Sequence, residues 1–215
     1  MNVNPRWLKQ LFAGGVAVFA LLSFAAIASA DQVFSNDFEI GDTSNWDSSY
    51  VKTGNTLVVD SESAHEGSFG LHVATDGVND DAFVRKGVEA TTQIYTKVWM
   101  NLIQDVTEGY HQQFLTAASH PDSGKIGSLA IRRTSDAPQN NLFTLAWSGV
   151  GPQLWEDTAK DVELGVWSCV ELYVAVSPTE GAVKAWVDGV LVADRQGVDM
   201  GSLPITWIRL GADGT

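Results

Sequence analysis

The chain has 215 residues, a formal net charge of −13 at pH 7, 45% hydrophobic residues and a single cysteine. So acidic a surface repels nucleic acid and anionic lipid and disfavours polyanions such as uronate chains, which leaves neutral glycans as the easier ligand. Cys169 excludes an intrachain disulfide; lying between Ser168 and Val170 in a strand-like run, it reads as a packed thiol rather than a nucleophile.

The chain opens with Arg6 and Lys9, an uncharged apolar run over residues 11–27 and the small-x-small triplet Ala28-Ser29-Ala30. That order predicts a signal peptide over residues 1–30 rather than a retained membrane anchor, and hence secretion to the periplasm or the cell exterior with no membrane association after cleavage. No cysteine follows the cut, which argues against a lipid anchor. The remaining 185 residues carry −15 once Arg6 and Lys9 are removed and suffice for one domain with a sizeable core.

Helical periodicity is nearly absent beyond the leader, and strand alternation recurs. Residues 93–102 read QIYTKVWMNL, with Ile94, Thr96, Val98, Met100 and Leu102 on one face and Tyr95, Lys97, Trp99 and Asn101 on the other. Val170, Leu172, Val174 and Val176 likewise oppose Cys169, Glu171 and Tyr173. Further strands are expected at residues 33–38, 56–60, 69–74, 82–86, 111–117, 128–133, 142–147, 181–187, 190–193 and 206–210. Turn clusters separate them, including Asn79-Asp80-Asp81, residues 120–124 and residues 137–140. Asp188-Gly189 between alternating apolar residues is a strong hairpin signal, because a type I′ turn needs positive φ at both central positions. Many short strands with no room for crossover helices predict an all-β antiparallel sandwich.

Three segments carry a resemblance. "FSNDFEIGDTSNWDSS" (34–49) is similar to the start of many secreted jelly rolls, and "SAHEGSFGLHV" (63–73) to their following segment. "WSCVELYVAVSPTEGAVKAWVDGVLVAD" (167–194) is similar to a late strand and its hairpin. Together they resemble the concanavalin A-like lectin/glucanase superfamily in its laminin-G-like and polysaccharide-lyase-like secreted branches, and also jelly-roll carbohydrate-binding modules. The resemblance implies a jelly roll and a glycan partner, and it encodes fold more than chemistry. It also implies a strand with adjacent aspartates after "WIRLGADGT" (207–215), pairing beside residues 33–38; the chain therefore reads as C-terminally truncated, with that first edge uncovered.

The polar faces of the central strands form the candidate site: Tyr95, Lys97, Trp99, His111, Gln113, Arg132, Glu171, Tyr173, Lys184 and Trp186. On a curved jelly roll this face is expected to be a concave groove, offering flat rings to sugar C–H faces and polar forks to hydroxyls. The resemblance to lyases would give His111, Tyr95 or Tyr173, Gln113 and Arg132 the parts of base, acid and carboxylate neutraliser in a β-elimination. The lyases' Gln-Ile-His segment is missing, however, and "YHQQFL" (110–115) is a loose echo of it. A glycosidase needs two carboxylates across the bond; the glucanases' Glu-x-Asp-x-x-Glu segment is missing and Glu171 stands alone. The resemblance to jelly-roll modules further implies a structural calcium at Asp37, Glu39 and Gly67. The expected function is an exported glycan-binding module; the alternatives are a polysaccharide lyase and a non-catalytic interaction domain of a larger surface protein.

Overall fold

The computed structural model describes residues 32–76, 81–121, 124–135, 140–149 and 151–214. The leader expected over residues 1–30 lies outside them, as do most of Asn79-Asp80-Asp81, Asp122 and Ser123, and residues 137–139. Val33–Thr215 forms one compact unit. Among the described residues its strands are β1 (Ser48–Val51), β2 (Thr56–Asp60), β3 (Gly70–Ala74), β4 (Ala82–Thr91), β5 (Gln93–Asn101), β6 (His111–Ala118), β7 (Lys125–Arg133), β8 (Asn141–Trp147), β9 (Leu154–Asp161), β10 (Trp167–Ala175), β11 (Gly181–Val187), β12 (Val190–Val198) and β13 (Ile205–Asp213). No helix occurs among the described residues.

All strand pairs are antiparallel. One sheet runs β1-β4-β13-β6-β7-β8-β9, a second runs β12-β11-β10-β5, and β2 and β3 form a separate hairpin. The core lies between the two larger sheets. Val170, Leu172 and Val174 of β10 and Val183, Ala185 and Val187 of β11 meet Leu115 of β6, Leu129 and Ile131 of β7, and Phe143 and Leu145 of β8. Alternation places them there: in β11 every second residue is buried. A Cβ on Gly127 would lie 2.6 Å from Val174 Cγ2, so glycine sets how closely β7 and β10 approach. The expected turn is present, with φ of 52° at Asp188 and 76° at Gly189.

The sequence-based strands differ from the structure in three places. Residues 33–38 are not a strand: Phe38 turns at φ 62° and packs with Trp46 and Val84 in a small second cluster. No strand edge is therefore left uncovered at residues 33–38, and the strand expected at residues 206–210 is present and longer, as β13, hydrogen-bonded between β4 and β6. The edges of the larger sheet are β1 and β9, neither of which the alternation signals. SSYV is four residues long, and LWEDTAKD carries three acids and one fully buried residue, Thr158.

Candidate functional site

The ten expected site residues separate onto two opposite surfaces. Alternation reports whether a residue faces the core, but both sheets have an outer face, and the two lie on opposite sides of the sandwich. Tyr95, Lys97, Trp99, Glu171, Tyr173, Lys184 and Trp186 lie on the outer face of the four-stranded sheet. His111, Gln113 and Arg132 lie on the outer face of the seven-stranded sheet, where His111 pairs with Arg132 and Gln113 with Ala130. A register shift between Gln113 and Leu115 makes this possible. The irregularity at Phe114 reverses the alternation, so that Gln113 points outward while Leu115 packs inward.

The outer face of the seven-stranded sheet has a polar floor. Adjacent strands bring Thr116, Ser128 and Ala146 into one row and Gln113, Ala130 and Thr144 into the next. Gln113, Thr116, Ser128 and Thr144 are all 0% exposed although they point away from the core. Larger side chains lean over them. His111 on β6 and Trp155 on β9 are three strand spacings apart, roughly 14 Å of backbone separation. Their rings nevertheless stack at 4.1 Å and 29°, spanning the small side chains between. Arg132 reaches across β8 to Asp157, whose other oxygen accepts from Thr144 Oγ1 at 2.8 Å. Gln113 Nε2 donates to Gln153 Oε1 at 3.3 Å. Beneath this cover, Gln113 Oε1, Thr116 Oγ1, Ser128 Oγ, Arg132 Nε and Gln153 Nε2 have no hydrogen-bond partner. Buried polar atoms are ordinarily satisfied, so five together mark a place that takes water or a ligand.

Cations gather on this face of an acidic chain. Arg209 (2% exposed side chain) donates from Nη1 to both oxygens of Asp213, at 3.3 and 3.1 Å, and Lys125 Nζ approaches Asp213 Oδ1 at 3.1 Å. Arg85 pairs in register with Arg209 and donates to Ser48 Oγ at 2.6 Å. Burial holds the His111 imidazole below its ordinary pKa and Arg132 adds to this, while Asp157 opposes it. The ring is therefore neutral at neutral pH. Because the folded-state value is depressed, the unfolded chain binds the extra proton first, and stability falls as pH drops from about 6.5 through the lower folded value. Urea melts across this window should show His111→Gln losing less stability on acidification than the parent.

On the other face, the Tyr95 hydroxyl donates to Glu171, and Lys97 Nζ lies 3.6 Å from the same carboxylate. Burial, and then the Glu171 hydrogen bond, push the Tyr95 phenol far above its ordinary pKa. Tyr173 donates to Gln93 Oε1 at 3.1 Å, and Lys184 lies 3.3 Å from Asp194. Burial raises the Cys169 thiol as well, in keeping with a packed, unreactive cysteine.

Of the residues expected to hold calcium, Glu39 and Gly67 come together, and Asp37 lies two residues from Glu39. Glu39 accepts from Ser68 N at 2.9 and 3.0 Å and from Phe69 N at 3.0 Å, and a Cβ on Gly67 would lie 2.4 Å from its Oε1. Asp37 Oδ1 is taken by Glu39 N at 3.1 Å. Backbone N–H groups thus donate to both carboxylates, an amide clamp that gives Glu39 a structural role beside the expected calcium ligation. Among the described residues no three His, Cys, Asp or Glu side chains gather as a metal-binding group. Glu39→Ala should cost about 1–2 kcal/mol, the value of a few exposed bonds to a carboxylate. Melting with calcium and with chelator decides between the two roles: equal midpoints fit the amide clamp, and a calcium-dependent rise abolished by Glu39→Gln would establish the metal.

No family model matches the sequence, and no curated protein matches it. In structure the chain is similar to an endo-β-1,4-glucuronan lyase from the fungus Trichoderma reesei, with 17% identity and TM-score 0.61 over 80% of this chain and 81% of that one. It is also similar to the cellulose induced protein Cip1, with 18% identity and TM-score 0.59 over 83% and 88%. The fold is a concanavalin A-like jelly roll. A sialidase matches 75% of this jelly roll with 13% of its own length, at TM-score 0.52 and 16% identity. At such identities the likeness concerns the fold, and the chemistry has to come from the site.

Sequence reasoning missed Trp155, Asp157, Gln153, Ser128, Thr144, Arg209 and Asp213. A signal was available in β7, where Ser128, Ala130 and Arg132 alternate with Gly127, Leu129 and Ile131. Two small residues, Ser128 and Ala130, in succession on the side of a strand that faces away from the core suit a ligand floor better than a solvated face.

Proposed function

We propose that this jelly roll binds a polysaccharide along the outer face of its seven-stranded sheet, across Trp155, His111 and Arg132. The observation that carries the reading is the buried polar floor with five unpartnered atoms under a cover of side chains. Parting the His111–Trp155 stack would present two flat rings and hydroxyl, amide and guanidinium groups to a sugar. Arg85, Lys125 and Arg209 are engaged within this face, but Arg132 is a third exposed, and its guanidinium would take a carboxylate of the ligand in exchange for Asp157, which favours an acidic chain in place of the neutral glycan that net charge alone suggests. The glucuronan lyase among the structural neighbours supports an acidic glycan as the ligand class.

Catalysis is the second reading, because neutral His111 stands in register with Arg132 on the same face as Gln113. Elimination also requires a proton donor for the leaving oxygen, and Tyr95 and Tyr173, the expected donors, lie on the opposite face. We therefore rank binding above lysis. Incubation with polyuronates should retain the protein on immobilised chains without the ultraviolet absorbance of an unsaturated uronate. A steady absorbance rise that His111→Ala abolishes would make it a lyase; no retention on any polyuronate or neutral polysaccharide would refute the glycan reading.

A further inference from the structure

The outer face of the four-stranded sheet is not used by that reading, and it is built rather than merely exposed. Tyr95 and Trp99 are 51% and 45% exposed, on the same edge strand β5. Both rings are held in place. His65, from the turn between β2 and β3, stacks on Trp99 at 4.1 Å and 13°, and Trp167 stands edge-on to His65 at 4.9 Å. Tyr95 is fixed through its hydroxyl to Glu171 and tilts against Trp186 at 6.1 Å. Two registered rows cross the strands, Leu191-Trp186-Glu171-Lys97 and Asp194-Lys184-Tyr173-Tyr95.

The charges on this face cancel in pairs. Lys97 faces Glu171 and Lys184 faces Asp194. A polyanion would have to displace a carboxylate from each lysine, and the net charge of −13 works against its approach. A protein partner fits poorly too, since Lys97, Glu171 and Lys184 stand among the rings, whereas interface cores are depleted of charge. An uncharged polysaccharide needs what is here: flat, pre-oriented rings for C–H faces, with paired polar groups between them for hydroxyls.

We propose that this face is a second glycan-binding surface, taking an uncharged polysaccharide chain across β5, β10 and β11. With the first site on the opposite side of the sandwich, one molecule would hold two chains at once.

Affinity electrophoresis tests this in gels containing hydroxyethyl cellulose, xylan, β-1,3-glucan or mannan, at low and high salt. At least one should retard the protein with little dependence on salt. Trp99→Ala should weaken that retardation about tenfold or more, as expected of a ring at the centre of a contact. Tyr95→Phe, which keeps the ring and loses the Glu171 bond, should retain most of it, and Trp155→Ala should leave it unchanged. The proposal fails if no neutral glycan retards the protein or if a Trp99→Ala protein with the parent's melting midpoint binds like the parent. It fails equally if the loss follows Trp155→Ala, or if light scattering finds a dimer that Trp99→Ala dissolves. Loss of polyuronate binding with retained neutral binding would overturn the first site alone.

Discussion

Replacing Asp213 by alanine should lower the unfolding free energy by about 3–5 kcal/mol, the cost of removing one partner from a buried ion pair. Asp213 is 3% exposed and receives both Arg209 and Lys125. Without it, Arg209 and Lys125 lose a shared carboxylate on a sheet face where little water reaches them, although Arg209 still donates to His120 O and Lys125 to Gly214 O. The guanidinium also lies over the Phe83 ring at 5.5 Å, which anchors its plane but supplies no counter-charge. Paired removal, Asp213→Leu with Arg209→Met, should recover much of the loss, because apolar residues of similar volume often replace a buried pair without penalty. Denaturant melts with unchanged slopes would assign the difference to stability rather than to a changed unfolded state. The effect bears on the site, because β13 pairs with β6 and Asp213 stands in register with Gln113.

Replacing Trp155 by alanine should reduce affinity for an acidic polysaccharide by roughly 10–100-fold, about 1.4–2.7 kcal/mol, the range of an aromatic hot spot. Trp155 is half-buried on the edge strand β9 and makes the stack with His111 that spans the floor. The substitution removes the larger of the two rings and leaves Arg132 paired to Asp157. Trp155→Phe should retain most of the affinity, since a ring remains to stack. Isothermal titration at two salt concentrations measures this, and the acidic-glycan reading requires affinity to fall as salt rises.

Local features of the chain were legible. The Asp188-Gly189 turn forms as its sequence predicts, and β2 and β11 have the limits that alternation and turn residues set. Edge strand β9 was not legible, because Glu156 faces Arg195 of β12 across the sandwich edge and Thr158 is its one buried residue. The candidate site was half legible. Alternation correctly turned Tyr95, Trp99, Glu171 and Trp186 away from the core, and His111 and Arg132 as well. It could not report that β5 and β10 belong to one sheet and β6 and β7 to the other, since only long-range pairing decides that. The strand expected at residues 33–38 failed for a local reason. Asn36 and Asp37 side chains accept from the backbone of Phe38 and Glu39, a competing arrangement that turns the chain.

The central claim, that a polysaccharide lies over the polar floor of the seven-stranded sheet, is tested most directly by following tryptophan indole resonances during titration with oligouronates. Assigned by single Trp→Phe substitutions, the Trp155 signal should shift progressively and saturate, while those of Trp46 and Trp99 stay in place. A saturable shift confined to Trp99 and Trp186, or none at Trp155 while the protein is retained by the same glycan, would contradict it.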